Sequence, residues 1–260
     1  MTFTTGVHQG DSVDLLRTLP DACARLVIAD PPYNLGPKFG VAKEWIHSDE
    51  WPAWCETWMK ECVRTLSEDG SIFVYGIHHY VGYMQTLMYD LGLKYRRMII
   101  WNYENGWSRS TKTLATHYEP ILWFSKSDDF YYRTIREPYK SVDRLKHPIR
   151  KNGRVWTPHP DGRLAGDVWR FPTLAGRRFR DERVDHPTQK PLSLTDRIVS
   201  HFSQPEDLIV VPFAGSGTEC VSAHQLGRQF WASEINPDYV RLANERIMEC
   251  DAQASREDLH

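Results

Sequence analysis

The stretch Leu208-Ile209-Val210-Val211-Pro212-Phe213-Ala214-Gly215-Ser216-Gly217-Thr218 decides the fold. Its first four residues are branched aliphatics, a run of strand length that is apolar throughout rather than alternating. That pattern belongs to a strand buried on both faces. The two glycines allow a tight turn and let a ligand come close to the backbone. A helix expected from there to about Leu226 presents its free N–H groups at the same point. Buried strand, glycine turn and helix, in that order, are the unit of a parallel α/β sheet. The turn is not Gly-x-Gly-x-x-Gly, and no lysine follows Gly217, so it is neither a dinucleotide fingerprint nor a Walker loop. The next strand is expected over Phe230–Ile235, and Glu234 near its end is an acidic residue suited to ribose hydroxyls.

The same alternation runs through the rest of the chain. Short strands are expected near Gly6–Gln9, at Leu26–Ala29, at Ser71–Tyr75, and as a pair at Arg97–Trp101 and Pro120–Phe124. Helices are expected over Ser12–Leu19, Pro52–Leu66, Val81–Leu91, Leu192–Phe202 and Asp238–Cys250. Proline is tolerated near the start of the second helix, and Pro20 ends the first. Residues 34–50 read as a mobile loop. The strand Leu26–Ala29 runs into Asp30-Pro31-Pro32-Tyr33. Two prolines remove two N–H donors and stiffen the turn, leaving bare acceptors beside a carboxylate and an aromatic ring. Such a group suits a planar amino group held by its N–H bonds and stacked on its face. The plainer reading is a strand-ending turn with a helix-capping aspartate. In open α/β sheets ligands bind beyond the carboxyl ends of the strands, so both turns meet if their strands are neighbours.

The chain has 260 residues, 41% hydrophobic and 25% charged, which suits one large α/β domain with an insertion or two small domains. No apolar run approaches the ~20 residues of a membrane span, and the first residues lack the pattern of a signal peptide. Five scattered cysteines without a Cys-x-x-Cys pair predict a reduced, cytoplasmic protein with no metal site; the neighbouring His78 and His79 do not change this. The net charge of −2 hides an asymmetry: residues 130–180 carry 13 Lys and Arg against 4 Asp and Glu. Such a block is a solvated loop or a polyanion site. Its aromatics, among them Tyr131, Tyr139, Trp156 and Trp169, favour nucleic acid. Arg177, Arg178 and Arg180 are its expected phosphate contacts. Trp51, Trp54 and Trp58 share a helical face and read as packing or an interface.

Asp-Pro-Pro-Tyr and Phe-x-Gly-Ser-Gly-Thr, with His186-Pro187-Thr188-Gln189-Lys190-Pro191 between them, resemble the S-adenosylmethionine-dependent amino methyltransferases of bacterial DNA. The catalytic turn precedes the cofactor loop, the permuted order of the β group. The resemblance implies a Rossmann-like methyltransferase fold, a mostly parallel twisted sheet with helices on both faces. It implies a catalytic part at 1–126, a target-recognition insertion at 127–185 and a cofactor-binding part at 186–260. By resemblance, Asp30 and the Pro31 carbonyl bind the target amino group, Pro32 belongs to the same turn, and Tyr33 stacks on the flipped base. Phe213, Ala214, Gly215, Ser216, Gly217 and Thr218 line the cofactor, and Glu234 holds its ribose. Asp11 lies near its adenine, and Thr188 and Lys190 lie near its carboxylate. The family often has aspartate where this chain has Val211, which removes any carboxylate role there and leaves the glycine loop intact.

The implied reaction is direct methyl transfer to N6 of adenine in double-stranded DNA. The resemblance also brings a homodimer and a cognate restriction endonuclease as partners. N4 of cytosine is the rival target, although its enzymes more often carry serine at the position of Asp30. RNA and protein amino methyltransferases usually have their cofactor loop before the catalytic turn. A non-catalytic DNA-binding module on the same fold is the alternative outside enzymes, and the complete motifs weigh against it. A nucleotide oxidoreductase lacks its fingerprint here.

Overall fold

The computed structural model describes residues 4–33, 50–103, 111–112 and 114–257. The loop expected at 34–50 lies outside them except for Glu50. In chain order the strands are β1 (Gly6–Gln9), β2 (Ala24–Ala29), β3 (Leu66–Tyr75), β4 (Lys94–Asn102), β5 (Tyr118–Ser125), β6 (Arg136–Glu137), β7 (Ile149–Lys151), β8 (Arg154–Trp156), β9 (Arg163–Leu164), β10 (Val168–Arg170), β11 (Leu208–Val211) and β12 (Gln229–Glu234). The helices are α1 (Ser12–Leu16), α2 (Glu50–Thr65), α3 (Val81–Asp90), α4 (Leu192–Phe202), α5 (Thr218–Gln225) and α6 (Pro237–Glu257).

Eight strands form one sheet in the order β1-β12-β11-β2-β3-β5-β4-β10. Strand β5 pairs antiparallel with β3 and β4, and the other pairings in this sheet are parallel. The expected α/β architecture, a mainly parallel sheet with helices on both faces, is therefore what forms. Alternation along β2 shows how: Leu26 and Ile28 join one core and Val27 and Ala29 the other, all four fully buried. The first core takes Leu194, Ile198 and Phe202 of α4 and Cys220 of α5; the second takes Leu16 of α1, Trp51 and Trp58 of α2 and Met84 of α3. Trp51 and Trp58 are thus packing residues, as their spacing predicts.

Two neighbouring strands carry the chain in opposite directions. From β2 it moves on to β3, whereas from β11 it moves on to β12. The gap between the carboxyl ends of β2 and β11 is the switch point where such sheets bind ligands. Both motif turns leave the sheet there. Because β5 is reversed, its first residues lie at this same end of the sheet, beside the last residues of β4: Glu119 pairs with Trp101.

Some boundaries differ from expectation. Helix α1 stops at Leu16 because Thr18 N and Leu19 N bond to Leu15 O and Leu16 O, tightening the final turn. Helix α6 runs on to Glu257. The basic segment, read as an insertion without clear periodicity, adds β10 to the edge of the main sheet, in parallel register with β4 and with Trp169 buried in the core. No helix among the described residues is long and apolar enough to cross a membrane.

Candidate active site

One cleft of about 640 Å³ opens at the switch point, within the roughly 300–1,000 Å³ of small-molecule sites. Asp11, Asp30, Pro31, Pro32, Tyr33, Thr188, Lys190, Phe213, Ala214, Gly215, Ser216 and Glu234 all line it. Gly217 and Thr218 stand behind this wall. Gly217 caps α5 in the left-handed conformation at φ 76°, and a Cβ there would come within 2.6 Å of Ala243. Only glycine lets α5 sit this close to α6. Arg246 of α6 then locks the loop, donating to Ser216 O at 2.6 Å and Thr218 Oγ1 at 3.1 Å.

Glu234 is aimed by the backbone. Its Oε2 accepts from Gly215 N at 2.9 Å and its Oε1 from Asn236 N at 2.8 Å. Each oxygen keeps a lone pair for a hydroxyl in the cleft. Asp11 sits next to it, because Gly10 N bonds to Glu234 O at 2.9 Å. Its Oδ1 caps α1 by accepting from Val13 N at 2.8 Å. Phe213 packs edge-on against Trp58 at 5.2 Å and tilted against Trp54 at 5.5 Å. Trp54 itself lines the cleft, although its spacing marks it as packing or an interface.

At the other end, the Asp30 carboxylate accepts from the Tyr33 hydroxyl and pairs with Lys190 Nζ at 2.8 Å. Lys190 is 4% exposed. It also stands 3.4 Å from Glu119 Oε2 and within 5.1 Å of the Tyr75 ring centre. Trp51 Nε1 donates to the Pro32 carbonyl at 2.7 Å, which pins the turn to α2. The sequence expectation set Lys190 near a cofactor carboxylate; in the structure its ammonium is taken up by Asp30 and Glu119.

Charge is concentrated in this end of the cleft. Burial lowers the Lys190 pKa, but Asp30 and Glu119 outweigh it and hold the ammonium above its ordinary value. Burial raises Glu119 despite Lys190. Burial and then Asp30 push Glu219 up to about 7. Its Oε1 is buried without a hydrogen-bond partner, as are Tyr75 Oη and Thr195 Oγ1. Burial pushes His186 down to about 4, so its imidazole is neutral at pH 7. It packs edge-on against Tyr239 at 4.5 Å and would meet any side chain added at Gly215 at 3.0 Å.

Glu119, Glu219, Trp54, Tyr75 and His186 carry no motif signal as site residues except His186, which stands in the quoted His-Pro-Thr-Gln-Lys-Pro run. Arg177, Arg178 and Arg180 are exposed. They lie on or just after the short 3₁₀ turn Arg177–Phe179, close in sequence to Thr173, Leu174 and Ala175 of the cleft wall.

The DNA methylase family of N6 and N4 methyltransferases matches residues 24–245. The type II methyltransferase M1.MboII of Moraxella bovis is 32% identical over 92% of this chain and 94% of its own. The DNA adenine methyltransferase YhdJ of Escherichia coli is 32% identical over 94% of this chain and 82% of its own. Among solved structures, the cytosine-N4-specific PvuII DNA methyltransferase aligns with a TM-score of 0.70 at 18% identity, covering 94% of this chain and 87% of its own. The M1.HpyAVI–SAM complex aligns with a TM-score of 0.65 at 19% identity, over 94% and 99%.

Proposed function

The chain belongs to the N6/N4 DNA methylase family, and from that premise we propose that it moves the methyl group of S-adenosylmethionine to N6 of adenine in duplex DNA, acting on a base flipped out of the helix. The observation that carries the proposal is the meeting of two turns in one cleft: the acceptor-rich Asp30–Tyr33 turn and the glycine loop, at the ends of neighbouring strands.

The cleft fits the cofactor. Glu234 offers lone pairs to ribose hydroxyls, and Gly215 at φ 49° leaves backbone open where a side chain would close it. The cofactor supplies an electrophilic sulfonium methyl. Phe213, Gly215 and Ser216 border its methionine end in this reading, Asp11 its adenine, and Thr188 its carboxylate, with Gly217 and Thr218 shaping the loop from behind. Five free thiols are in keeping with work in a reducing compartment.

The chain's part in the chemistry is to hold and orient. An adenine amino nitrogen is a poor nucleophile because its lone pair is delocalised into the ring. Asp30 and the Pro31 carbonyl accept its N–H bonds and draw them out of plane, localising the lone pair toward the methyl. Lys190 is the positioning residue that holds the Asp30 carboxylate in place through their 2.8 Å ion pair. Tyr33 leaves Asp30 to stack on the base, which offsets part of the few kcal/mol spent on flipping by ~1–3 kcal/mol. Most of the rate gain comes from positioning and electrostatics.

Adenine is preferred over cytosine because Asp30, not serine, opens the turn, and because YhdJ is named for adenine. The order of catalytic turn before glycine loop supports the β group. A homodimer and a cognate restriction endonuclease rest on the resemblance alone. DNA methylated by the purified chain, digested to nucleosides and separated by mass and retention, is expected to yield N6-methyladenine. A dominant N4-methylcytosine peak without methyladenine overturns the adenine assignment and leaves the role of Asp30 standing.

Residues 127–185 act as the target-recognition segment in this reading. Neutralising Arg177, Arg178 and Arg180 is expected to weaken DNA binding and to flatten its salt dependence by up to ~0.9 in slope per lost phosphate contact. Calorimetric titration with the cofactor should give the same affinity as before. An unchanged salt slope returns the cluster to a solvated surface.

A further inference from the structure

Strands β7 and β8 form a two-stranded sheet of their own, remote from both cores. Asn152 and Gly153 join them with φ 51° and 71°, the double left-handed turn whose twist matches paired strands. Ile149 opposes Trp156, Arg150 opposes Val155, and Lys151 opposes Arg154. Opposed residues share a face, so one face carries Ile149 and Trp156 at its base and Lys151 and Arg154 at its tip.

This ribbon has no reason to exist by itself. An isolated two-stranded hairpin is marginally stable in water, and this one buries nothing: Val155 and Trp156 are each 57% exposed. Its charge is one-signed. Residues 144–160 contain no Asp or Glu, and among the described residues Arg150, Lys151 and Arg154 are in no ion pair. Pro148 and Pro158 flank the ribbon and stiffen its entry and exit.

We propose that this hairpin enters the major groove of the duplex that carries the target base. The proposal rests on the DNA methyltransferase assignment and goes beyond it by naming the reading element. A major groove about 12 Å wide admits a two-stranded ribbon in undistorted duplex, whereas a minor groove about 6 Å wide must first be opened by bending the DNA. Arg150, Lys151 and Arg154 meet the acidic walls of the groove, with the paired tip residues Lys151 and Arg154 near base edges. Trp156 at the base covers apolar sugar surface that would otherwise leave its ring in water.

The test uses the full chain and a duplex oligonucleotide bearing the sequence it methylates. In the variant R150Q/K151Q/R154Q, KM for DNA should rise tenfold or more while kcat changes little. The salt slope should fall by up to ~0.9 per lost contact. The wild-type chain should shield guanine N7, a major-groove atom, from dimethyl sulfate, and the variant should lose that shielding. Tm should not change, because the ribbon packs on nothing. A variant with wild-type KM and salt slope overturns the proposal. So does one that loses affinity but keeps N7 shielding, and so does single-stranded DNA competing as well as duplex. A wild-type chain that binds duplex without methylating it fails the catalytic reading instead, and the hairpin is then judged from binding and shielding alone.

Discussion

Replacing Asp30 with asparagine should slow methyl transfer on the order of 10³-fold, comparable to the loss of a preorganised group facing the reacting atom, and leave cofactor affinity unchanged. The substitution keeps the volume of the side chain and one acceptor oxygen but removes the charge that draws on the amino N–H bonds. It also weakens the hold of Lys190 on the turn, since the ammonium then keeps only Glu119 at 3.4 Å. Asp30→Ala removes the acceptor altogether and should be slower still. The two effects separate in single-turnover measurements at saturating cofactor, with Tm followed beside them. The cofactor contacts assigned to Glu234 and the glycine loop lie on the β11 and β12 side of the cleft, so calorimetric titration with the cofactor should match the wild type. A near wild-type rate in either variant would sink the catalytic assignment of the turn.

What was legible in the sequence, and what was not, follows from where the information resides. The spans Leu192–Phe202 and Leu208–Val211 came out as expected because their burial is written in their own residues, one as a helical apolar face and the other as an unbroken apolar run. The meeting of Asp30 with the glycine loop was conditional on β2 and β11 being neighbours, and they are. Strand β10 has no signature in the sequence because three residues carry no periodicity; β4 and the buried Trp169 hold it in place. The ion pairs of Lys190 were illegible for a similar reason. They join the loop before α4 to the ends of β2 and β5, and only the reversal of β5 brings Glu119 to that end of the sheet. Glu219 reads locally as an acid suited to a helix N-terminus. Its raised pKa comes from burial and from Asp30, neither of which its neighbours in the chain reveal. Trp54 shows the limit of spacing as a guide: one helical face supplied two core tryptophans and one that lines the cleft.

Lys190→Met should show how the cleft tolerates so many carboxylates. The wild-type ammonium is 4% exposed and is the cation paired with both Asp30 and Glu119. Methionine fills a similar volume but leaves those two partly buried carboxylates without their cation, and Glu219 close enough to feel Asp30. Removing one partner of a buried pair typically costs about 3–5 kcal/mol, because the other charge stays desolvated. The loss should depend on pH in a definite sense. Without the ammonium, Glu119 loses the partner that opposes its burial, and its folded-state pKa, already raised by burial in the wild type, stands further above its unfolded one. The folded variant then binds more protons than the unfolded chain across that interval, and stability falls as pH rises through it. Denaturant unfolding should therefore find the variant weakest relative to wild type at pH 8 and closer to it at pH 5, toward the range where the raised Glu119 carboxyl takes up its proton. A deficit of equal size at both pH values would mean that methionine hurts by shape and not by charge. A deficit below about 1 kcal/mol at pH 8, the scale of an exposed pair, would mean that water reaches the cluster and that Lys190 does not hold Asp30 in the manner proposed.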